Sequence, residues 1–297
     1  MPNNKKIIVV TGASGFLGGE CCRHFCRQGY TVRALVRNAE KTREPLRSHA
    51  DGGIYFCDLP EFIDERALEG KIDALIHCAV ASQIEDRQRA EKVNVEGTQV
   101  LLRAAREGDV KRFVFISSFS ARQDSESGYG KSKWRVEKML DGERDLVIRA
   151  GLIVGPGGLF QRMREALRRS RLIPLFFGGR QRIQTVWVGD LCAALERALI
   201  QEAVGTLCIA AAEATPISQV YRKLATFEGR SCIFLRVPGT PALLFLRFFE
   251  KLGCKFPVTS ENLLGLKKMQ EIDVTSDLDR LGIQPRSLEQ SLELLEN

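Results

Sequence analysis

No stretch of this sequence reaches the roughly 18 uninterrupted apolar residues that a membrane-spanning helix requires, so no span is expected. The opening MPNNKK lacks the apolar core of a secretory signal and runs directly into a strand-like segment, which makes a cytoplasmic protein the expectation. Zinc-finger spacing, a basic array interleaved with aromatics and a basic tail are all missing, so nucleic acid is not an expected partner. There is no internal repeat and no low-complexity tract. The nine cysteines are an odd number scattered through apolar stretches. Cys21, Cys22 and Cys26 share one predicted helix, but no second cluster supplies matching ligand spacing. They read as small buried hydrophobes of a reducing compartment, and neither a metal site nor a disulfide framework is expected.

What remains is an ordinary globular chain. Its 297 residues, 44% of them hydrophobic, suffice for one large domain with a smaller appended region. The formal net charge of +7 favours anionic ligands.

The first two-thirds alternates short apolar runs with longer amphipathic ones. KIIVVTG, YTVRALVR, GGIYFCDL, KIDALIHCAV, VKRFVFISS and RDLVIRAG read as six strands. Between them lie the helical patterns GFLGGECCRHFCRQG, RQRAEKVNVEGTQVLLRAAREG and YGKSKWRVEKML. Strands apolar on both faces and alternating with helices predict a doubly wound α/β fold, a parallel Rossmann-type sheet. The dinucleotide-binding domain is expected over 1–156, with 183–212 returning to it through the unit TVWVGDLCAALERALI. Residues 157–182 and 213–297 are expected to form a small, mainly helical substrate-covering region, its first part a helix and an arginine-rich loop. Asp190 is expected to cap the helix that follows it.

The first strand ends in TGASGFLGG, with Gly12, Gly15 and Gly18 at GxxGxxG spacing. Gly12 permits the tight turn, Gly15 the approach of a pyrophosphate, and Gly18 the packing of helix on sheet. The helix N-terminus then offers backbone N–H groups and a positive dipole end to phosphate. Ser14, Phe16 and Leu17 complete the expected phosphate turn. NAD-binding sheets usually close the second strand with an acid for the ribose hydroxyls. Here Val36 and Arg37 stand in that place, so the expected cofactor is NADP(H), with NAD(H) as the alternative. Arg37, aided by Lys41, would pair with a 2′-phosphate. Asp58, followed by Leu59, ends the third strand where a carboxylate accepts from the adenine amino group. Cys78, Ala79 and Val80 end the fourth strand in residues that leave room for the cofactor. His77 reads as a packed strand-end histidine rather than a base.

Tyr129 and Lys133 are four residues apart, about 5–6 Å at Cβ on one face of a helix. That spacing alone fits a surface helix equally well. The motifs taken together decide: TGASGFLG, CDL, HCAV, NVEGT, VFISS, YGKSK, VIRAGLIVGPGG and VWVGDL follow the order of the short-chain dehydrogenase/reductase family, extended type, which the chain resembles. The resemblance implies that Tyr129 and Lys133 are the catalytic pair and that Ser118 holds the substrate oxygen, ahead of Ser117 and Ser120. It also implies cofactor contacts at Asn94 and Ile153. A nearby ammonium lowers a tyrosine pKa towards neutrality, which suits proton transfer.

The chain also departs from the sugar-nucleotide branch. The segment after Ser118 is short, and Ala150 and Val154 replace a usual proline and tyrosine. These features resemble the compact branch that includes the accessory subunit of respiratory complex I. The expected activity is hydride transfer between nicotinamide and a carbonyl or secondary alcohol. A sugar-nucleotide epimerase or dehydratase, and a non-catalytic nucleotide-binding assembly or sensor protein, stand as alternatives. Many relatives pair two helices into a homodimer, which the resemblance implies here. The arginine-rich segment Arg162–Arg182 reads first as a solvated helix face, with an anionic substrate group or a membrane surface as alternatives. The apolar PALLFLRFFEKLG is expected to cover the substrate pocket rather than to dock a partner or lie peripherally on a bilayer.

Overall fold

The computed structural model describes residues 5–39, 44–81, 87–253, 259–267 and 269–295; Lys41 lies outside them. The chain divides into two compact units. The first comprises Met1–Ser118, Ser132–Arg149 and Leu191–Leu207, and the second Phe119–Lys131, Ala150–Asp190 and Cys208–Asn297.

Eight strands make the large sheet. They are β1 (Ile7–Thr11), β2 (Thr31–Val36), β3 (Ile54–Asp58), β4 (Phe62–Ile63), β5 (Ala74–His77), β6 (Phe113–Ser118), β7 (Leu146–Ala150) and β12 (Gly205–Ile209). Their spatial order is β12-β7-β6-β5-β1-β2-β3-β4. β1 lies inside the sheet and pairs in parallel with both β2 and β5. The chain therefore winds outward through β2 and β3, then returns to β1 and winds the other way. This doubly wound sheet is the expected one, and the ends of β1 and β5 flank its topological switch point, where such folds bind ligands. Burial on both faces explains the apolar runs: Ile8, Val9 and Val10 are buried in succession, as are Leu75 and Ile76.

Five helices belong wholly or mostly to the first unit: α1 (Phe16–Arg27), α2 (Glu44–Arg47), α3 (Arg87–Glu91), α4 (Gly97–Glu107) and α7 (Val188–Ile200). Helix α5 (Gly128–Glu137) is shared by the two units. The core of the first unit joins Val9, Leu35, Leu75, Phe113 and Phe115 to Leu101 and Ala105 of α4. The sequence pattern 87–108 reads as one helix, but a π-helical stretch, Lys92–Glu96, separates α3 from α4.

The second unit holds three two-stranded sheets: β8 (Leu152–Val154) with β11 (Thr185–Trp187), β9 (Leu172–Phe176) with β14 (Ile233–Val237), and β10 (Arg182–Ile183) with β13 (Thr215–Pro216). Its helices are α6 (Gly158–Arg169), α8 (Ile217–Phe227), α9 (Gly239–Lys251), α10 (Ser260–Lys267), α11 (Thr275–Leu281) and α12 (Leu288–Glu293). Phe160, Leu167, Val220, Leu224, Leu288 and Leu292 anchor its core.

Five further features differ from the sequence expectation. The segment read as an arginine-rich loop contains β9. A further strand, β14, pairs with it. The strand TVW pairs with β8 rather than joining the large sheet, to which β12 returns instead. Asp190 lies inside the first turn of α7 and does not precede it; its carboxylate accepts from the Arg286 backbone N–H at 2.8 Å and pairs with the Arg286 guanidinium. The arginines of α6 are also not a simple solvated face. Arg164 is buried and donates to Glu228 at 2.6 Å, and Arg168 donates to the other oxygen of Glu228 at 2.5 Å.

Candidate active site

Gly12 leaves β1 with φ +64°, and a Cβ there would sit 2.8 Å from both the N and Cα of Ala79. Only glycine combines that backbone conformation with so close an approach to the loop after β5. A Cβ on Gly18 would stand 2.3 Å from the Gly12 carbonyl oxygen, so α1 packs onto the turn only because that side chain is missing. Gly15 is the extended N-cap of α1 and donates to the Gly12 carbonyl at 2.8 Å. Ser14 and Gly15 are exposed, and Phe16 and Leu17 are half-buried in the first turn. No side chain caps α1 and no acid occupies its first turn. The start of the helix thus offers backbone N–H groups and a positive dipole end with no carboxylate in its own first turn, a donor set that fits a dinucleotide pyrophosphate.

Arg37 is exposed directly after β2, and Asp58 is exposed at the end of the neighbouring β3. β2 pairs in parallel with β3 through Val36 and Phe56, so both residues lie at the carboxyl ends of adjacent strands. Leu59 is buried, and a Cβ on Gly97 would meet its Cβ at 2.8 Å; its side chain packs on the start of α4. Cys78 and Ala79 are half-buried, and Val80 is exposed.

Behind this loop runs a chain of hydrogen bonds that sequence reasoning missed. The Ala79 N–H donates to Thr11 Oγ1 at 3.2 Å, and Thr11 Oγ1 lies 2.7 Å from His77 Nδ1. On the other side of the ring, His77 Nε2 lies 3.0 Å from Thr98 Oγ1, which donates to the Asn94 carbonyl at 2.6 Å. Asn94 closes the set by accepting the Ala81 N–H on Oδ1 at 2.7 Å. Asn94 lies in the π-helical stretch, where the local widening of the helix carries it to the loop after β5. Desolvation holds the His77 pKa down at about 3, with a smaller push from the Lys133 charge. His77 is a neutral, fully engaged structural residue.

β6 ends in two serines with different surroundings. Ser117 is buried and donates to Glu137 Oε1 at 2.5 Å; Arg149 grips the same carboxylate at 2.9 and 2.6 Å. Ser118 is half-buried at the end of the strand.

Lys133 is only 6% exposed. Its Nζ donates to the Ile116 carbonyl at 2.6 Å and stands 4.4 Å from the centre of the Phe115 ring. Desolvation pulls its pKa down to about 8, opposed by Cys78 and the Glu137 carboxylate. One turn earlier on α5, Tyr129 is 36% exposed. That first turn is held within the second unit. Gly128 N–H donates to Glu261 Oε2 at 2.6 Å and Gly130 N–H to Ser127 Oγ at 3.0 Å. Ile153 is half-buried on β8 in that unit. Within the first unit direct contacts join the glycine turn to Ala79 and the following loop to Asn94, and Lys133 lies against β6; Tyr129 and Ile153 belong to the second unit. Among the described residues no group of three His, Cys, Asp or Glu side chains could hold a metal ion, and no helix is long and apolar enough to cross a membrane.

The model of the NAD dependent epimerase/dehydratase family matches residues 8–207. The chain is 29% identical over 198 residues to a ceramide reductase of Caulobacter vibrioides, covering 64% of this chain and 59% of that protein. It is 29% identical over 203 residues to a UDP-glucose 4-epimerase of Vibrio cholerae, covering 58% of this chain and 60% of that one. The matches thus span about three-fifths of the length of these curated relatives. A solved UDP-glucose 4-epimerase of Thermotoga maritima superposes with a TM-score of 0.73 at 21% identity, covering 97% of each chain; that likeness is one of fold.

Proposed function

The chain belongs to the NAD dependent epimerase/dehydratase family, and from that premise we propose that it is an NADPH-preferring oxidoreductase acting on a carbonyl or secondary alcohol. The observation that carries this reading is Lys133. A lysine buried to 6% exposure, its pKa pulled to about 8, is a costly thing for a fold to keep without use.

In this reading the glycine turn Gly12–Gly18 holds the dinucleotide phosphates, Arg37 pairs with the 2′-phosphate, and Lys133 binds the nicotinamide ribose. Bound there, the nicotinamide supplies hydride exchange with the substrate carbon. Tyr129 passes a proton to or from the substrate oxygen. The Lys133 ammonium, one turn away on the same helix, favours the phenolate and brings its pKa towards neutrality. Ser118 donates to the substrate oxygen and fixes it beside Tyr129. The Ser117 proton is already committed to Glu137, which argues against Ser117 in that role.

The test is NADPH oxidation by the purified chain across a panel of aldehydes and ketones, repeated with Tyr129→Phe. The expected result is turnover that falls at least about a hundredfold in the variant while NADPH affinity is kept. Undiminished turnover in the variant would sink the mechanism. A second reading, epimerisation of a sugar nucleotide, draws on the similarity to the Vibrio cholerae epimerase. It predicts interconversion of substrate with no net NADPH consumption.

A further inference from the structure

The first turn of α5 is a weak helix start on its own. Tyr129 stands there between Gly128 and Gly130, and glycine is the poorest helix former after proline. Side-chain packing does not fix the phenol either, because Tyr129 is 36% exposed. Its place therefore depends on what holds the backbone of that turn. Hydrogen bonds fasten that backbone on both sides of Tyr129. The Gly130 N–H donates locally, to Ser127 Oγ at 3.0 Å, and Ser127 is buried directly before the helix. A Cβ on Gly130 would stand 2.3 Å from Ser125 Oγ and 2.4 Å from the Ser120 carbonyl, so the turn is pressed onto the segment ahead of it. The Gly128 N–H donates instead to Glu261 Oε2 at 2.6 Å, across 133 residues of chain. A carboxylate in that place gains from a charge-assisted hydrogen bond and from the positive end of the helix dipole.

Glu261 is itself held in place. It is the second residue of α10, and the first, Ser260, is fixed by Glu250 of α9. Glu250 accepts from the Ser260 N–H at 2.7 Å and from the Ser260 hydroxyl at 2.6 Å. Leu263 of α10 is buried against Ala242 and Leu246 of α9. At the far end of α10, Lys267 donates to the two oxygens of Glu126, just ahead of α5, at 3.1 and 3.0 Å. α10 thus holds the entry to α5 from both of its own ends.

We propose that Glu261 is a positioning residue for Tyr129: by fastening the Gly128 N–H to α10, it fixes the turn from which the phenol reaches the substrate oxygen. The inference rests on the oxidoreductase reading of Tyr129 and extends it to a residue of the C-terminal region. Glu261 lies beyond residues 8–207, which the family model matches.

The test is NMR of the full chain with isotope-labelled tyrosine rings, alongside NADPH-dependent turnover, in Glu261→Ala and Glu261→Gln. The chain has four tyrosines, and the signal lost in Tyr129→Phe belongs to Tyr129. In Glu261→Ala that signal should move, while the signal of Tyr221, in the core of the same unit, stays in place. There kcat should fall at least about tenfold with NADPH affinity kept, since a slightly misplaced reacting group is slow. Glu261→Gln retains an acceptor oxygen and should restore both the signal and kcat. Glu261→Asp keeps the charge but is one methylene shorter; it should resemble Glu261→Ala, and it takes over if that variant does not fold. Undiminished kcat in Glu261→Ala overturns the proposal, whether or not the signal moves. So does a Tyr221 signal that moves together with that of Tyr129 and that Glu261→Gln leaves displaced, because Glu261 would then brace the whole unit. A Tyr129 signal that responds as expected in a protein without carbonyl turnover supports the hold of Glu261 on Tyr129 and overturns the oxidoreductase reading alone.

Discussion

His77 and Thr98, 3.0 Å apart between Nε2 and Oγ1, can be hydrogen-bonded in only one direction. The Thr98 hydroxyl has a single proton and gives it to the Asn94 carbonyl, so it can only accept from the ring. His77 therefore carries its proton on Nε2, and Nδ1 accepts from Thr11. The Ala79 N–H fills the remaining place on Thr11. One tautomer of one buried histidine thus ties the loop after β5 to the start of α4.

This fixes a pH dependence. The folded-state pKa of about 3 lies below the ordinary 6.5, so the unfolded chain binds the extra proton between those values. The stabilisation is complete above pH 6.5 and is lost as pH falls towards 3. Denaturant titrations from pH 7 to 4 should show a His77 contribution of about 1.4 kcal/mol per pH unit below 6. His77→Gln should remove that slope, and an unchanged slope would mean that the ring is protonated in the fold.

Lys133 gives a second window, on the alkaline side. Its pKa of about 8 lies below the ordinary 10.5, so folding again releases a proton, here between pH 8 and 10.5. The stabilisation is complete above pH 10.5 and is lost as pH falls through 8, on the order of 3 kcal/mol across the window. Lys133→Met should abolish this dependence, stay folded at pH 7, and lose turnover. A retained alkaline rise in stability would assign it to another group.

Gly18→Ala tests the glycine turn. The added Cβ meets the Gly12 carbonyl at 2.3 Å, and the obstacle is backbone, which cannot swing away. The expected cost is about 1–3 kcal/mol of stability, with weaker NADPH binding, measured by denaturation and fluorescence titration. Gly29→Ala is the contrast. Nothing lies within 4 Å of its Cβ, and only the φ of +83° opposes it, so its cost should stay near 1 kcal/mol with binding intact.

Arg37→Gln should weaken NADPH binding by about tenfold or more and leave NADH binding nearly unchanged, because a charge-assisted phosphate contact is worth more than 1 kcal/mol. Parallel titrations with the two cofactors read this directly. Equal losses for both would show that Arg37 does not discriminate at the 2′ position.

The large sheet was legible because strands buried on both faces have to be apolar along most of their length, and β1, β5 and β6 are, up to the polar residues at their carboxyl ends. β9 was not, since Pro174 sits in the middle of LIPLF and two of its five residues are exposed. β14 was hidden for a similar reason, with Arg236 interrupting a short strand whose outer face is exposed. Asp190 and Arg164 went astray through distance along the chain: their partners, Arg286 and Glu228, are 96 and 64 residues away. At the candidate site, Gly12, Gly15 and Gly18 could be picked from spacing and type, and Lys133 from the resemblance of the motifs around it. The path through Thr11, His77 and Thr98 could not, because it depends on which strands are neighbours, and residue spacing carries no record of that.

The base of α9 has a consequence of another kind. A Cβ on Gly239 would fall 1.8 Å from the ring of Phe177, a residue itself held at φ +51°. Considered as substitutions accumulating over time, these two positions form an ordered pair. Position 239 can gain a side chain only once the ring at position 177 has moved aside or been lost, whereas 177 can shrink without asking anything of 239. Drift through the pair therefore has a direction, and a chain that keeps the ring in this place also favours the glycine.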